Sequence, residues 1–272
     1  MSRVSILGTE IDNLSLNECL DEIQKILKTG KPSYLVTPNV AHILLLRKDE
    51  KFRKIYSDAS LVLADGMPLI WAAKLLGSPL KEKCSGSDLF EKVCQIGYSL
   101  DRNIFLLGGQ NGSEKIAESQ LSEKYSGIKV SSYSPPFGFE NNPQENIKII
   151  KMINDFNTSI LIVCVGAPKS EKWIYQNISN LDINLACPFG ISLDFFAGTK
   201  KRAPLWMQKS GLEWFFRLIQ EPGRLWKRYL IGNTIFIYLL IKELIKSLFV
   251  KGSVKNKMIK NERLRDGKEF ER

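Results

Sequence analysis

The sequence is poor in histidine and has no closely spaced cysteine pair. It contains one histidine, His42, and five cysteines, none of them in a CxxC spacing. A lone histidine gives little support to a His-rich metal site or a Ser-His-Asp triad, and we interpret His42, beside an apolar helical segment, as structural. The cysteines are typical of free thiols in a reducing cytosol. No Asp-x-Asp pair occurs, which removes the commonest carboxylate pair that holds a metal on a diphosphate, so we expect no metal and no cofactor.

Long apolar runs are also absent. Residues 1–15 hold too short an apolar run for a signal peptide, so we expect a chain that is not exported. An uncharged run at 229–241 has 13 residues, fewer than the ~20 that a membrane-spanning helix needs. Lys242 and Glu243 then interrupt it. We therefore expect a helix that lies on a membrane rather than one that crosses it.

Positive charge is abundant but unevenly distributed. The formal net charge is +10, yet residues 1–198 hold 21 basic and 22 acidic residues, whereas residues 199–272 hold 18 basic and 7 acidic ones. The basic C-terminal quarter predicts an anionic partner, which is a membrane surface, a nucleic acid or phosphate on a substrate. The hydrophobic content of 44% is sufficient for a full core.

Short apolar runs rich in β-branched residues alternate with helical segments such as 40–57 and 111–125. This alternation is typical of βαβ units, and it predicts an α/β fold with a Rossmann-like, mostly parallel sheet. The predicted strands are 33–39, 61–66, 104–109, 128–136, 160–168 and 183–190.

The composition of the sequence changes after residue 198, where basic residues and tryptophans alternate with leucine and phenylalanine. This pattern predicts amphipathic helices rather than more sheet. We expect a catalytic core at 1–198, a basic, membrane-associating appendage at 199–250 and a charged, disordered tail at 251–272.

Ligands of parallel α/β sheets bind at the carboxyl ends of the strands, where loops offer backbone N–H groups and helix N-termini. Several polar or small residues follow the predicted strands, and they should meet at one edge of the sheet. These candidates are Thr37, Asn39, Asp65, Gly108, Gly109, Phe137, Gly166, Lys169 and Asp194.

Asp65, in the segment ADGMP, has two interpretations. Aspartate is a favoured N-cap residue, and Pro68 is compatible with the first turn of a following helix. Alternatively, Asp65 is a general base whose pKa is raised by partial burial. The glycine-rich turn at 108–112 permits close approach of a diphosphate, but it lacks the full G-x-G-x-x-G spacing, which argues against a nicotinamide-dependent oxidoreductase.

The basic residues of the C-terminal quarter also have two interpretations. They form either a solvated basic face or a surface that anchors to anionic lipid and clamps a phosphate. These residues are Arg202, Arg217, Arg224, Lys227 and Arg228. A non-catalytic nucleic-acid-binding protein is the main alternative to an enzyme. The apolar segment 235–250 fits lipid better than nucleic acid, so we expect no nucleic-acid partner.

Taken together, several segments resemble the WecG/TagA/CpsF family of bacterial glycosyltransferases. The resemblance covers about residues 5–240 and keeps the order of the family's motifs. The matching segments are TPN (37–39), ADGMPLIWA (64–72), SGSDL (85–89), FLLGG (105–109), VGAPKSEKW (165–173), LDFFAGTKKRAP (193–204) and GLEWFFRLIQEPGRLWKRYL (211–230).

The resemblance implies transfer of a sugar, N-acetylmannosamine or a related hexose, from a UDP-sugar to a polyprenyl-diphosphate-linked saccharide. Members of the family act in wall teichoic acid, enterobacterial common antigen and exopolysaccharide synthesis. The resemblance implies an inverting, metal-independent enzyme whose C-terminal appendage closes the site at the cytoplasmic membrane face. Peripheral attachment to the inner face of the membrane is therefore expected, while self-association of the core stays open.

The resemblance also implies roles for individual residues. Asp65 matches the catalytic base that takes the proton of the acceptor hydroxyl, and Thr37 and Asn39 match residues that hold the sugar or the acceptor. Arg217 and Arg224 match appendage arginines that engage phosphate.

Two positions depart from the family's pattern, and one more basic residue completes the predicted substrate-binding set. Lys83 stands where arginine is usual, so a bidentate phosphate contact becomes a point-charge contact. Ser170 stands where glutamine is usual, which affects the donor pocket. Lys83 and Arg228 are included among the predicted substrate-binding residues.

Overall fold

The computed structural model describes residues 1–247, and its centre is a six-stranded sheet in which every pairing is parallel. The predicted α/β, Rossmann-like class is confirmed, and each of the six predicted strands is present in a shorter form. The sheet has the order β4-β3-β8-β7-β5-β6. Its strands are β3 (Ser33–Val36), β4 (Leu61–Val62), β5 (Ile104–Gly108), β6 (Val130–Tyr133), β7 (Ile160–Cys164) and β8 (Leu185–Pro188), and a separate hairpin comprises β1 (Arg3–Ile6) and β2 (Thr9–Asp12).

Helices connect the strands and cover both faces of the sheet. The segment predicted as one helix at 40–57 forms two, because Asp49 accepts the backbone N–H of Phe52 at 2.9 Å and so caps a new helix. The helices of the core are α1 (Leu16–Thr29), α2 (Val40–Leu46), α3 (Glu50–Ser57), α4 (Met67–Leu75), α5 (Gly86–Ser99), α6 (Ser113–Lys124), α7 (Pro143–Asp155), α8 (Lys169–Asn177) and α9 (Ser192–Phe196).

Successive residues of each strand point to opposite faces of the sheet, so both faces are apolar. Leu107 and Val163 contribute to the core under α2, α3, α7 and α8. Leu106 and Ile162 contribute to the core under α1, α5, α6 and α9. Burial on both sides explains why the strands read as continuous apolar runs, and it leaves only the strand ends for ligands.

The β1–β2 hairpin was not predicted from the sequence. Its turn uses Leu7 and Gly8, with φ of 49° and 84°, and positive φ at both central residues suits the twist of a tight hairpin. The buried carboxylate of Asp12 accepts the side-chain N–H of Arg3 and the backbone N–H of Val62, both at 2.8 Å. The hairpin is thereby tied to the edge strand β4.

The appendage consists of helices, as predicted: α10 (Leu205–Lys209), α11 (Glu213–Gln220) and α12 (Pro222–Trp226), after which 227–247 stay helical. Phe236 and Leu240 are buried against the core, whereas Ile237 and Tyr238 on the same helix are exposed. None of the helices within 1–247 has both the length and the apolar character needed to cross a membrane. The predicted disordered tail at 251–272 lies outside the described residues, and the domain boundaries stay a prediction.

Candidate active site

A cleft of about 550 Å³ opens at the carboxyl ends of the strands, between the core and the appendage. It brings together the predicted base and all the predicted substrate-binding residues, although their roles remain predictions, whereas Arg202 and Lys227 of the basic C-terminal set do not line it. The selected residues that line it are Thr37, Asn39, Asp65, Lys83, Gly108, Gly109, Phe137, Gly166, Lys169, Asp194, Arg217, Arg224 and Arg228.

Asp65 follows β4 and does not cap the next helix. The N-cap of α4 is Gly66, whose φ of 100° favours glycine, and no side chain makes a cap hydrogen bond there. The backbone N–H of Asp65 donates to the carbonyl of Pro38 at 2.8 Å, which fixes the residue beside the end of β3. The capping interpretation of Asp65 is therefore wrong, and its carboxylate is free for another role.

The surroundings of Asp65 disfavour its charged form. Burial raises the pKa of Asp65, and the nearby carboxylate of Glu213 raises it further, against the opposing effects of Lys83, His42 and a hydrogen bond from Asn39. The side chain nevertheless remains partly exposed in the cleft. A partly desolvated carboxylate that can still reach a ligand has the properties of a general base.

Asn39 connects Asp65 to both the core and the appendage. It is the N-cap of α2, and its Oδ1 accepts the backbone N–H of Ala41 at 3.1 Å and a guanidinium N–H of Arg228 at 3.3 Å. Its Nδ2 lies 3.5 Å from Oδ2 of Asp65. Thr37, at the end of β3, is buried on the same side of the cleft. The segment TPN thus places an amide directly beside the candidate base.

Gly108 and Gly109 are required by the packing at the end of β5. A Cβ on Gly108 would lie 2.7 Å from the carbonyl of Cys164, and one on Gly109 would lie 2.5 Å from Oγ of Ser113. Both residues have positive φ, at 103° and 97°. These glycines therefore let β5, β7 and the start of α6 approach one another at the floor of the cleft.

Asp194 holds the same turn from the other side. Only 4% of it is exposed, and its Oδ1 accepts the backbone N–H of Gln110 at 3.0 Å and the hydroxyl of Ser113 at 2.7 Å. The backbone N–H of Gly109 donates to the carbonyl of Cys164 at 3.2 Å. Two N–H groups of the glycine-rich turn are thus already bonded within the protein, and Asp194 shapes the turn.

Lys83 belongs to a charge network that joins the core to the appendage. Its Nζ lies 2.6 Å from Asp88, whose other oxygen lies 2.5 Å from Arg202, and Arg202 is 3.3 Å from Glu213. Burial opposes ionisation of Asp88, but the charges of Lys83 and Arg202 and the hydrogen bonds outweigh it and lower the pKa of Asp88 to about 2. The sequence analysis missed Asp88 and Glu213, since nothing in their spacing indicates that they meet.

The basic side chains of the appendage differ in their partners. Arg224 and Lys200 both pair with Glu221, whereas no carboxylate within the described part of the chain pairs with Arg217. Burial opposes ionisation of Glu221, yet these cations lower its pKa. Of Arg217, Arg224 and Lys200, Arg217 is therefore the cation most available to an anionic ligand.

The opposite wall of the cleft comes from the loop after β6 and the start of α8. Lys169 pairs with Glu140 at 2.5 Å, and its Nζ lies 4.6 Å from the ring centroid of Phe137, which is fully exposed. Ser170 is buried, and its hydroxyl donates to the carbonyl of Gly166 at 3.3 Å. Within residues 1–247, His, Cys, Asp and Glu form no group of three or more that could hold a metal ion.

Comparison with known proteins adds an independent result. The family model described as "Glycosyl transferase WecG/TagA/CpsF family" matches residues 4–249. An N-acetylglucosaminyldiphosphoundecaprenol N-acetyl-beta-D-mannosaminyltransferase of Bacillus subtilis (strain 168) is 29% identical over 240 residues, which cover 87% of this chain and 91% of the relative. A protein of the same name from Staphylococcus aureus (strain MW2) is 27% identical over 245 residues, with coverage of 89% and 93%.

Proposed function

Because the chain belongs to the WecG/TagA/CpsF family of glycosyltransferases, we propose that it transfers N-acetylmannosamine or a related hexose from a UDP-sugar to a polyprenyl-diphosphate-linked saccharide. Membership of this family makes the chain a transferase. The two alternative predictions, a non-catalytic nucleic-acid-binding protein and a nicotinamide-dependent oxidoreductase, are therefore wrong. The observation that carries the proposal is the partly buried Asp65 in a cleft whose appendage wall is formed by arginines.

The names of the relatives support the choice of substrates. Both relatives are named for transfer of N-acetylmannosamine to N-acetylglucosaminyl-diphosphoundecaprenol, and their similarity extends over most of both chains. We extend to this chain a lipid-linked diphosphate acceptor and a role in the synthesis of a cell-surface polysaccharide.

The proposed reaction is a single displacement. The acceptor hydroxyl oxygen attacks C1 of the donor sugar while Asp65 takes the hydroxyl proton, and the bond between C1 and the UDP oxygen breaks with its electron pair leaving on UDP. Attack opposite to the leaving group inverts the configuration at C1. General-base assistance of this kind contributes about 10²–10⁴-fold to the rate.

Cations of the protein take the role of neutralising phosphate. Arg217 and Arg224 are assigned to the acceptor diphosphate, and Lys169, the first residue of α8, is assigned to the leaving UDP. Glu221 must release Arg224 for this role, because the two are paired. We propose that the reaction needs no added metal.

The appendage gives the enzyme its place in the cell under this proposal. Exposed apolar side chains such as Trp206, Ile219 and Ile237 occur together with the basic residues of 199–247. Such a surface suits peripheral binding to an anionic membrane, here the inner face of the cytoplasmic membrane, where a lipid-linked acceptor resides.

The test is incubation with a panel of UDP-sugars and a short-chain polyprenyl-diphosphate-N-acetylglucosamine, followed by mass spectrometry of the lipid product. We expect one N-acetylhexosamine to be added from UDP-N-acetylmannosamine, or one hexose from a related donor. No product with any UDP-sugar, under conditions in which the Bacillus subtilis relative is active, would refute the proposal.

A further inference from the structure

A buried pair of titratable side chains lies beneath the cleft, and the proposed reaction does not use it. His42 is 6% exposed and Glu171 is 3% exposed, and Nε2 of His42 lies 3.2 Å from Oε1 of Glu171. The two residues are in the first turns of α2 and α8, both of which begin at the ligand-binding edge of the sheet. Burying two titratable side chains costs free energy of desolvation, so we expect the pair to have a role.

The hydrogen bonds assign the tautomer of His42. Its Nδ1 accepts the backbone N–H of Asn39 at 3.1 Å, so Nδ1 carries no proton and the N–H is on Nε2. Nε2 lies 3.2 Å from Oε1 of Glu171, but it makes no hydrogen bond within the described residues. His42 is the third residue of α2, and its ring completes a capping box with Asn39. The ring of His42 thus holds the backbone of Asn39, while the carboxylate of Glu171 lies beside Nε2 without a hydrogen bond to it.

Asn39 is held at its side chain as well. Because its Oδ1 accepts N–H groups from Ala41 and Arg228, its amide nitrogen is the group that faces Asp65. The opposite orientation would place the amide oxygen against the carboxylate and the NH₂ group against two donors. One orientation of Asn39 is therefore strongly favoured.

We propose that His42 is a positioning residue for Asp65. It keeps Asn39 in place so that its amide nitrogen stays on Oδ2 of Asp65, which leaves Oδ1 to receive the proton of the acceptor hydroxyl. Within residues 1–247, Oδ1 has no hydrogen-bond partner. The inference rests on the proposed role of Asp65 as the base.

A packing role for His42 is the competing explanation, and it makes the opposite prediction. The ring of His42 stacks on Phe52 with centroids 6.2 Å apart and an interplanar angle of 16°, and Tyr56 lies 6.3 Å away. If the ring served only to fill this aromatic cluster, phenylalanine would replace it better than any polar residue.

The deciding experiment compares His42→Phe with His42→Gln. Glutamine at the third helical position can accept the backbone N–H of Asn39, whereas phenylalanine can only pack. For His42→Phe we expect kcat to fall at least about tenfold, in line with the cost of a misplaced catalytic group, while KM for the UDP-sugar changes less than about twofold. For His42→Gln we expect kcat within about threefold of the wild type.

The pH profile gives a second readout in the same variants. Both variants lose the direct effect of His42 on the pKa of Asp65, but only His42→Phe should also lose the hydrogen bond from Asn39, which lowers that pKa. The acidic limb of kcat should therefore lie at higher pH in His42→Phe than in His42→Gln. A kcat for His42→Phe equal to or above that of His42→Gln, or an acidic limb at the same pH in the two variants, overturns the proposal.

A measurement without substrate separates this inference from the proposed function. Hydrogen exchange at the backbone amide of Asn39 should be faster in His42→Phe than in the wild type or His42→Gln. Unchanged exchange would show that His42 does not hold the backbone of Asn39, and it overturns the proposal. If the wild type transfers no sugar, the proposed function fails and the exchange result still stands. Should His42→Phe not fold, His42→Leu against His42→Gln repeats the comparison, since leucine cannot accept the backbone N–H of Asn39.

Discussion

At the scale of the residue, the central feature is a carboxylate whose surroundings disfavour its charge. Burial is the largest cause, and the carboxylate of Glu213 on the appendage is the second. A base must be ionised to accept a proton, so activity should be lost as the pH falls through the raised pKa of Asp65. The acidic limb of kcat is therefore expected at a higher pH than the ordinary pKa of an aspartate would give.

This dependence can be tested with Glu213→Gln, which removes one of the two causes. Because the charge of Glu213 raises the pKa of Asp65, the acidic limb of kcat should move to lower pH in this variant. Glu243 is exposed on the C-terminal helix, so Glu243→Gln is the matched control and should leave the limb in place. A limb that moves equally in both variants, or in neither, would contradict the assignment.

Cations of the side chains are a second feature at this scale. Arg217, Arg224 and Lys169 line the cleft and are assigned to the phosphates. If Lys169 neutralises the charge that develops on UDP and the two arginines neutralise the acceptor diphosphate, EDTA should leave the transfer rate unchanged. Loss of activity in EDTA that Mg²⁺ or Mn²⁺ restores would mean that a metal takes part.

At the scale of the element, the appendage is seated on the core through a glycine. Gly211, between α10 and α11, has a φ of 73°, and a Cβ there would lie 2.4 Å from the ring of Trp71 on α4. Gly198 has nearly the same φ, 74°, and a Cβ there would have no atom within 4 Å. The two positions share the backbone strain of a substitution and differ only in their contacts.

We expect Gly211→Ala to displace the segment between α10 and α11 from α4. This change should lower kcat/KM at least about tenfold, because Glu213 and Arg217 would move away from the cleft. Gly198→Ala carries the same backbone strain and should lose much less. Limited proteolysis should cut the appendage faster in Gly211→Ala alone. Equal losses in both variants would show that strain, and not the contact with Trp71, is responsible.

The elements also show how much of the fold could be predicted from the sequence. Apolar runs followed by small or polar residues were enough to predict the six parallel strands and the residues at their carboxyl ends, because both depend on local patterns. The hairpin was missed because its strands are four residues each and depend on the distant contact between Asp12 and Val62. The network of Asp88, Arg202 and Glu213 joins positions more than a hundred residues apart, and no local pattern encodes such a meeting. The roles of the site residues stay predictions.

At the scale of the whole molecule, the appendage has two kinds of surface, to which the proposed function assigns different roles. Basic residues such as Arg217 and Arg224 line the cleft, whereas apolar side chains such as Tyr238 and Ile245 are exposed on the C-terminal helix. Binding to anionic bilayers should depend on the apolar burial together with about 1 kcal/mol per well-placed cation.

The Arg217→Ala, Arg224→Ala double variant separates the two roles. It should keep most of its binding to anionic liposomes, since the apolar helix and the other cations remain, yet lose most transfer. Truncation after Gly198 should abolish both. A double variant that leaves the liposomes but transfers normally to a soluble short-chain acceptor would mean that the arginines are membrane anchors only.

The most direct test of the whole account is the turnover of Asp65→Asn with the best UDP-sugar and a short-chain lipid acceptor, measured beside its affinity for UDP. Asparagine keeps the shape of the side chain and loses its basicity, so kcat should fall at least about a hundredfold, within the usual scale of general-base catalysis, while the Kd for UDP changes little. Near-normal turnover of the purified, folded variant would contradict the role of Asp65 as the base.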